Sequence, residues 1–164
     1  MILQILDKPI PILYLTPFSY TTAINIKSNG AKIEECETDF VIITWNRYEE
    51  VSIIISECKT RTPIEISDAE NLKKIADTFP INRIKALILF SKLDTFNEDE
   101  VKICMKVQSD NFPKRVIMLT DRELEHWHIY EQTKTEFQIE EHAIDWETMT
   151  SNTTKIYVEK KIKS

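Results

Sequence analysis

Glycine is almost missing from this chain: Gly30 is the only one in 164 residues. A Walker A loop, a G-x-G-x-x-G dinucleotide fingerprint and a G-x-S-x-G nucleophile elbow each need more than one glycine. Nucleoside-triphosphate hydrolysis on a P-loop, Rossmann redox chemistry and the α/β-hydrolase mechanism are therefore excluded. Cysteine is scarce too. Cys36, Cys58 and Cys104 are odd in number and far apart, and form neither a C-x-x-C pair nor a zinc spacing. Free thiols in a reducing compartment are expected. Long apolar runs are absent: stretches such as Ala86 to Phe90 fall far short of a membrane span. Asp7, Lys8, Pro9 and Pro11 interrupt the N-terminus and fit no signal peptide. A cytoplasmic protein is the simplest expectation.

Positive charge is in deficit, with 21 basic against 27 acidic side chains and a net charge of −6. Such a chain is not expected to coat nucleic acid by charge alone. A metal-dependent enzyme acting on nucleic acid is still allowed, because a bound cation offsets a local acidic cluster.

The composition, 42% hydrophobic and 29% charged, supports one domain over 1–164. Pro9, Pro11 and Pro17 bar a long N-terminal helix. Residues 21–27 read as a strand, followed by an Asn29-Gly30 turn. A run over 32–45, a polar break at 46–50 and a β-branched run over 51–59 read as a hairpin. The period then changes. Ser67 and Glu70 form a capping box before Leu72, Ile75, Ala76 and Phe79, which predicts a helix over 67–79. A strand at 85–90, a helix starting at Asn97, a strand at 116–119 and a helix capped by Thr120 and Glu123 follow. A short helix is expected near 143–149, within a polar C-terminal extension over about 135–164. The fold class expected is α/β: a mixed β-sheet, built from a three-strand meander and then helix–strand units, flanked by helices.

The sharpest chemical feature is Glu57-Cys58-Lys59 at the end of the third strand. Alternation puts Glu57 and Lys59 on one face and Cys58 on the other. With a five-residue loop over 46–50, Trp45 faces Val51 and Asp39 falls opposite Glu57. Directly paired residues share a face, with Cβ atoms roughly 4.5–5.5 Å apart. Like charges so placed repel, and a divalent cation between them reverses the penalty. Mg²⁺ takes oxygen ligands, often one or two carboxylates plus waters. Asp39, Glu57 and the backbone carbonyl of Cys58 are the metal ligands expected, for Mg²⁺ or Mn²⁺. Lys59 is expected to act on the attacking water or the scissile phosphate. Removing the charge of Asp39 is expected to stabilise the metal-free chain by relieving repulsion. Acid-x-lysine also occurs at Glu100/Lys102 and Glu159/Lys161, where it reads as chance on a solvated surface.

Asp39, an intervening hairpin and Glu57-x-Lys59 resemble the core of the PD-(D/E)xK nuclease superfamily, which includes restriction-endonuclease-like and Mrr-like enzymes. The resemblance covers about residues 20–120. It implies a restriction-endonuclease-like fold in the order helix, three-strand meander, helix, strand. It also implies metal-dependent phosphodiester cleavage, usually of DNA, with Asp39, Glu57 and Lys59 as the catalytic residues. Thr38 stands where that signature has proline, and the proline-broken N-terminus supplies no clear first helix. Two function classes follow: a DNA endonuclease of restriction, repair or defence type, or a non-catalytic regulatory or interaction domain on the same fold. A homodimer or a larger parent assembly is expected to help hold the nucleic acid.

Weaker candidates have plainer explanations. His126 and His128 flank Trp127 and would share a face only on a strand. Arg61, Lys73, Lys74, Arg83 and Lys85 read as phosphate contacts or as a solvated helix side. Trp45 and Tyr48 read as base-stacking or packing residues.

Overall fold

A computed structural model describes residues 18–26, 36–45, 50–108, 115–124, 135–139 and 146–159. Strands β1 (Phe18–Ile26), β2 (Cys36–Trp45) and β3 (Val51–Lys59) form an antiparallel meander. Helix α1 (Ile66–Ala76) leads to β4 (Ile84–Lys92), and α2 (Glu98–Met105) leads to β5 (Val116–Leu119). A short α3 (Asp121–Leu124) and a final α4 (Trp146–Tyr157) follow. The five strands lie in chain order, with β3, β4 and β5 mutually parallel. The meander–helix–strand order expected from the sequence is present. Residues 1–17, where a preceding helix would fall, lie outside the described residues, as do Asn29-Gly30, Tyr48, His126, Trp127, His128 and His142.

The β-branched run of β3 explains its central place. Ile53, Ile54 and Ile55 are buried in succession, so both faces of the strand are covered. Ile53 and Ile55 join Ala86, Ile88 and Phe90 in a core closed by Leu72 and Ile75 of α1 and by Val101 and Cys104 of α2. Both crossover helices pack on this face, as right-handed connections advancing in one direction require. The opposite face gathers Phe40, Ile42, Ile54, Leu87, Leu89 and Ile117, with Trp146 and Met149 of α4 packed against them. Trp146 also donates its indole N–H to Thr44 Oγ1 at 3.2 Å.

Helix α1 starts and stops earlier than the 67–79 expected. Its N-cap is Glu65, whose N–H donates to Asp68 Oδ2 at 2.8 Å, and its C-cap is Asp77. The capping box is thus acid–acid, two residues before Ser67/Glu70. This frame still puts Ala69, Leu72, Ile75 and Ala76 in the core. The α2 start matches the expectation: Asn97 Oδ1 accepts the N–H groups of Asp99 and Glu100, and Glu100 Oε2 accepts that of Asn97.

The last helix runs longer than the short one expected, over 146–157, and does more than extend the chain. Ile156 and Tyr157 enter the α1/α2-side core. Thr153 Oγ1 accepts the N–H of Met118 at 2.9 Å, satisfying a donor on the outer edge of β5. At the other side of the sheet, Ala23 of β1 has φ of 50° and is skipped between the Thr22–Phe40 and Ile24–Thr38 pairs.

Candidate functional site

The β2–β3 register is the one read from the sequence. Trp45 pairs with Val51, and the ladder runs to Phe40–Ser56. One step further brings Asp39 level with Glu57. Asp39 shares the face of Val41, and Glu57 that of Ile55, both of which pack on the α1/α2 side. The two carboxylates therefore lie on one face. Beyond the ladder, side chains hold the strands together. Asp39 Oδ2 accepts the N–H of Cys58 at 2.5 Å, and Thr38 donates to the Ser56 carbonyl at 2.7 Å.

Glu57 and Lys59 meet directly: Lys59 Nζ is 2.6 Å from Glu57 Oε1. The same ammonium is 3.2 Å from Asp68 Oδ2, an acid on the first turn of α1. The side chains of Glu57, Lys59 and Asp68 are 17–22% exposed, so solvent reaches them without bathing them. Burial raises the Glu57 pKa and the charge of Asp39 raises it further, while Lys59 pulls it down; the net result is upward. Burial pulls Lys59 down, but its bonds to Glu57 and Asp68 outweigh this and lift its pKa.

Cys58 faces away, as alternation requires. Its Sγ accepts the Ser91 hydroxyl at 3.0 Å and packs toward the Phe40/Leu89 core. Burial pushes the thiol up to about 11, so it stays protonated near neutrality and is neither nucleophile nor thiolate ligand. The carbonyl oxygen is the only atom of Cys58 to which the sequence reading gives a metal role.

The donor chemistry suits a hard cation. Asp39, Glu57 and a backbone carbonyl supply oxygens alone, which fits Mg²⁺ or Mn²⁺ with waters completing the shell. Among the described residues no three His, Cys, Asp or Glu side chains gather as a metal cluster. A cation here would thus rest on two carboxylates.

Several candidates lie far from this end of the sheet. Trp45 and Lys85 pair beside Val51 and Ser52, at the start of β3. Seven residues separate Lys85 from Lys92, which is roughly 23 Å of strand. Lys85 instead pairs with Glu147 at 2.7 Å, and Lys73 pairs with Asp77. Trp45 is too remote to stack on a base held at Asp39.

Two acids escaped the sequence reading. Asp68 looks like ordinary first-turn charge, and only the fold brings it to Lys59. From sequence alone Glu100 reads as a surface residue beside Lys102; in the structure it is 2% exposed and accepts Lys92 Nζ at 2.7 Å. Its Oε1 also accepts the Ile64 N–H at 2.9 Å. Lys102 turns outward to Asp99. The capping-box position of Glu100 was visible in the sequence, but its buried partner Lys92 was not.

No protein-family model matches the chain, and no curated protein matches it. Among solved structures, the small subunit of the heterodimeric restriction endonuclease R.BspD6I aligns with a TM-score of 0.39 and 12% identity, over 83% of this chain and 77% of that one. The MspJI restriction endonuclease, in complex with a 27-mer oligonucleotide, aligns with a TM-score of 0.33 and 11% identity, over 87% of this chain and 28% of that one. Likeness this distant says nothing of activity. No helix among the described residues is long and apolar enough to cross a membrane.

Proposed function

We propose that this chain is a metal-dependent nuclease, acting on DNA as an endonuclease of restriction, repair or defence type. The observation that supports this reading best is the placement of Asp39 and Glu57 on one face of the β2–β3 hairpin with Lys59 in contact with Glu57. Asp39, Glu57 and the Cys58 carbonyl would hold Mg²⁺ or Mn²⁺. Bound there, the ion supplies charge stabilisation at phosphorus and a more acidic water. The chain's own part is to fix the oxygens and to present an ammonium. Cys58 N–H holds Asp39 in place. Lys59, kept protonated by its acidic neighbours, orients the water or binds the scissile phosphate. A parent assembly would add positive surface to a chain of net charge −6, and a homodimer would set two sites against the two strands of a duplex.

The absence of a three-acid cluster among the described residues favours a second reading, a non-catalytic regulatory or interaction domain on the same fold. One experiment separates the two. Single-stranded and duplex DNA and RNA are incubated with the chain and Mg²⁺ or Mn²⁺, with and without chelator, alongside calorimetry for Mn²⁺. Chelator-sensitive cleavage is expected. Neither cleavage nor metal binding would leave the non-catalytic domain as the better account.

A further inference from the structure

Lys59 has two acceptors of different character. Glu57 lies two residues away on the same strand face, beside Asp39. Asp68 arrives from another element and is anchored. Its Oδ2 holds the Glu65 N–H at 2.8 Å. The adjoining Ile64 N–H is bound to Glu100 Oε1 at 2.9 Å, and Glu100 is itself locked by Lys92 at 2.7 Å. A buried ion pair thus braces the backbone that carries Asp68.

A divalent cation between Asp39 and Glu57 would draw the Glu57 carboxylate and repel the Lys59 ammonium. Without a second acceptor the lysine would swing to solvent. From this geometry we infer that Asp68 is a positioning residue that keeps Lys59 at the site when Glu57 turns to the metal. The inference rests on the nuclease reading of Asp39, Glu57 and Lys59. It makes Glu57 the exchangeable partner of Lys59 and Asp68 the permanent one. The cap at Glu65 alone does not explain the 3.2 Å approach of Lys59, which belongs to β3.

Asp68→Asn is the discriminating change, because the amide oxygen still accepts the Glu65 N–H while the charge is lost. Glu57→Ala mimics, without metal, a Glu57 that no longer holds Lys59. Nitrogen–proton spectra of the lysine ammonium groups, assigned with Lys59→Arg, report whether Lys59 is held against exchange. The Lys59 signal should persist in Glu57→Ala and vanish in Glu57→Ala/Asp68→Asn. In the Mg²⁺-loaded chain, Asp68→Asn should lower kcat by about 10–100-fold with metal affinity unchanged. Asp68→Glu should restore part of that loss, while the Lys59 signal separates this role from a purely helical one. Circular dichroism checks that each variant is folded, and Mg²⁺-loaded Asp68→Asn, where the metal draws Glu57 away, carries the spectral test if the double variant is not: its Lys59 signal should vanish. A Lys59 signal that survives in the double variant, or is already lost in Glu57→Ala, overturns the inference. If wild type never cleaves, the nuclease reading fails while the metal-free spectra still decide whether Asp68 holds Lys59.

Discussion

Asp39 is tied across the hairpin to Cys58: its carboxylate Oδ2 accepts the Cys58 backbone N–H at 2.5 Å. This bond changes what removal of Asp39 does to stability. Relief of repulsion against Glu57 favours the variant, but Asp39→Ala leaves the part-buried N–H without its charged acceptor, worth about 1.5–3 kcal/mol. The loss should win, so Asp39→Ala destabilises the metal-free chain, contrary to the expectation from charge alone. Asp39→Asn keeps an acceptor and should lie close to wild type in urea unfolding.

Catalysis should separate the three site residues. Asp39→Ala and Glu57→Ala should each abolish cleavage and weaken Mn²⁺ binding in calorimetry, because each removes an expected ligand oxygen. Lys59→Ala should cut turnover strongly and spare metal affinity, since an ammonium is not a ligand. Cleavage that persists in Glu57→Ala would place the chemistry elsewhere.

Glu57 also predicts a pH effect on stability. Its folded pKa is raised, first by burial and then, against the pull of Lys59, by Asp39. The folded state therefore holds this proton to higher pH than the unfolded chain. Stability from this group is present at low pH and is lost as pH rises from the ordinary glutamate value through the raised one. Glu57→Gln should remove this dependence and raise the metal-free Tm at pH 7. Mg²⁺ should raise the Tm of wild type but not of Glu57→Gln.

Glu100 and Asp77 act in the opposite sense. Burial would raise Glu100, but Lys92 and the Asn97 and Ile64 N–H groups overcome it and hold the carboxyl low. Asp77, though exposed, is likewise held low: partial desolvation would raise it, but Lys73 and Arg115 overcome this. Both contribute stability above the ordinary carboxyl range and lose it as pH falls through their lowered values. Lys92→Met should cost about 3–5 kcal/mol at pH 7, because Glu100 is left charged and buried. Adding Glu100→Leu should recover only part, since the Ile64 and Asn97 N–H groups lose their acceptor. Full recovery in denaturant titrations would mean those bonds matter little.

The hairpin was legible because loop length and alternation are local facts. Trp45, Val51, Asp39 and Glu57 were placed in register by counting alone. The end of β4 was not legible. Ser91 and Lys92 look like the start of a loop, yet both are buried, one bonded to Cys58 and the other to Glu100. Their partners lie on other elements, so no window of neighbouring residues shows them. The same reason hid Asp68, whose tie to Lys59 exists only once α1 packs against β3. Thr153 was unreadable as an edge cap for the same cause.

That edge cap makes the sheet one-sided. On β5, a threonine of α4 occupies the Met118 donor that another strand would need. Among the described residues β1 ends the sheet on the other side, and Ser19 to Ala23 are exposed along it. Growth of this sheet by an added strand therefore has its opening at β1, and such a strand would lie next but one to the strand that carries Asp39. The skipped Ala23, level with Asp39, interrupts that edge with a left-handed residue. An incoming strand thus meets a break in the template at the height of the carboxylates, and regular pairing is confined to either side of it.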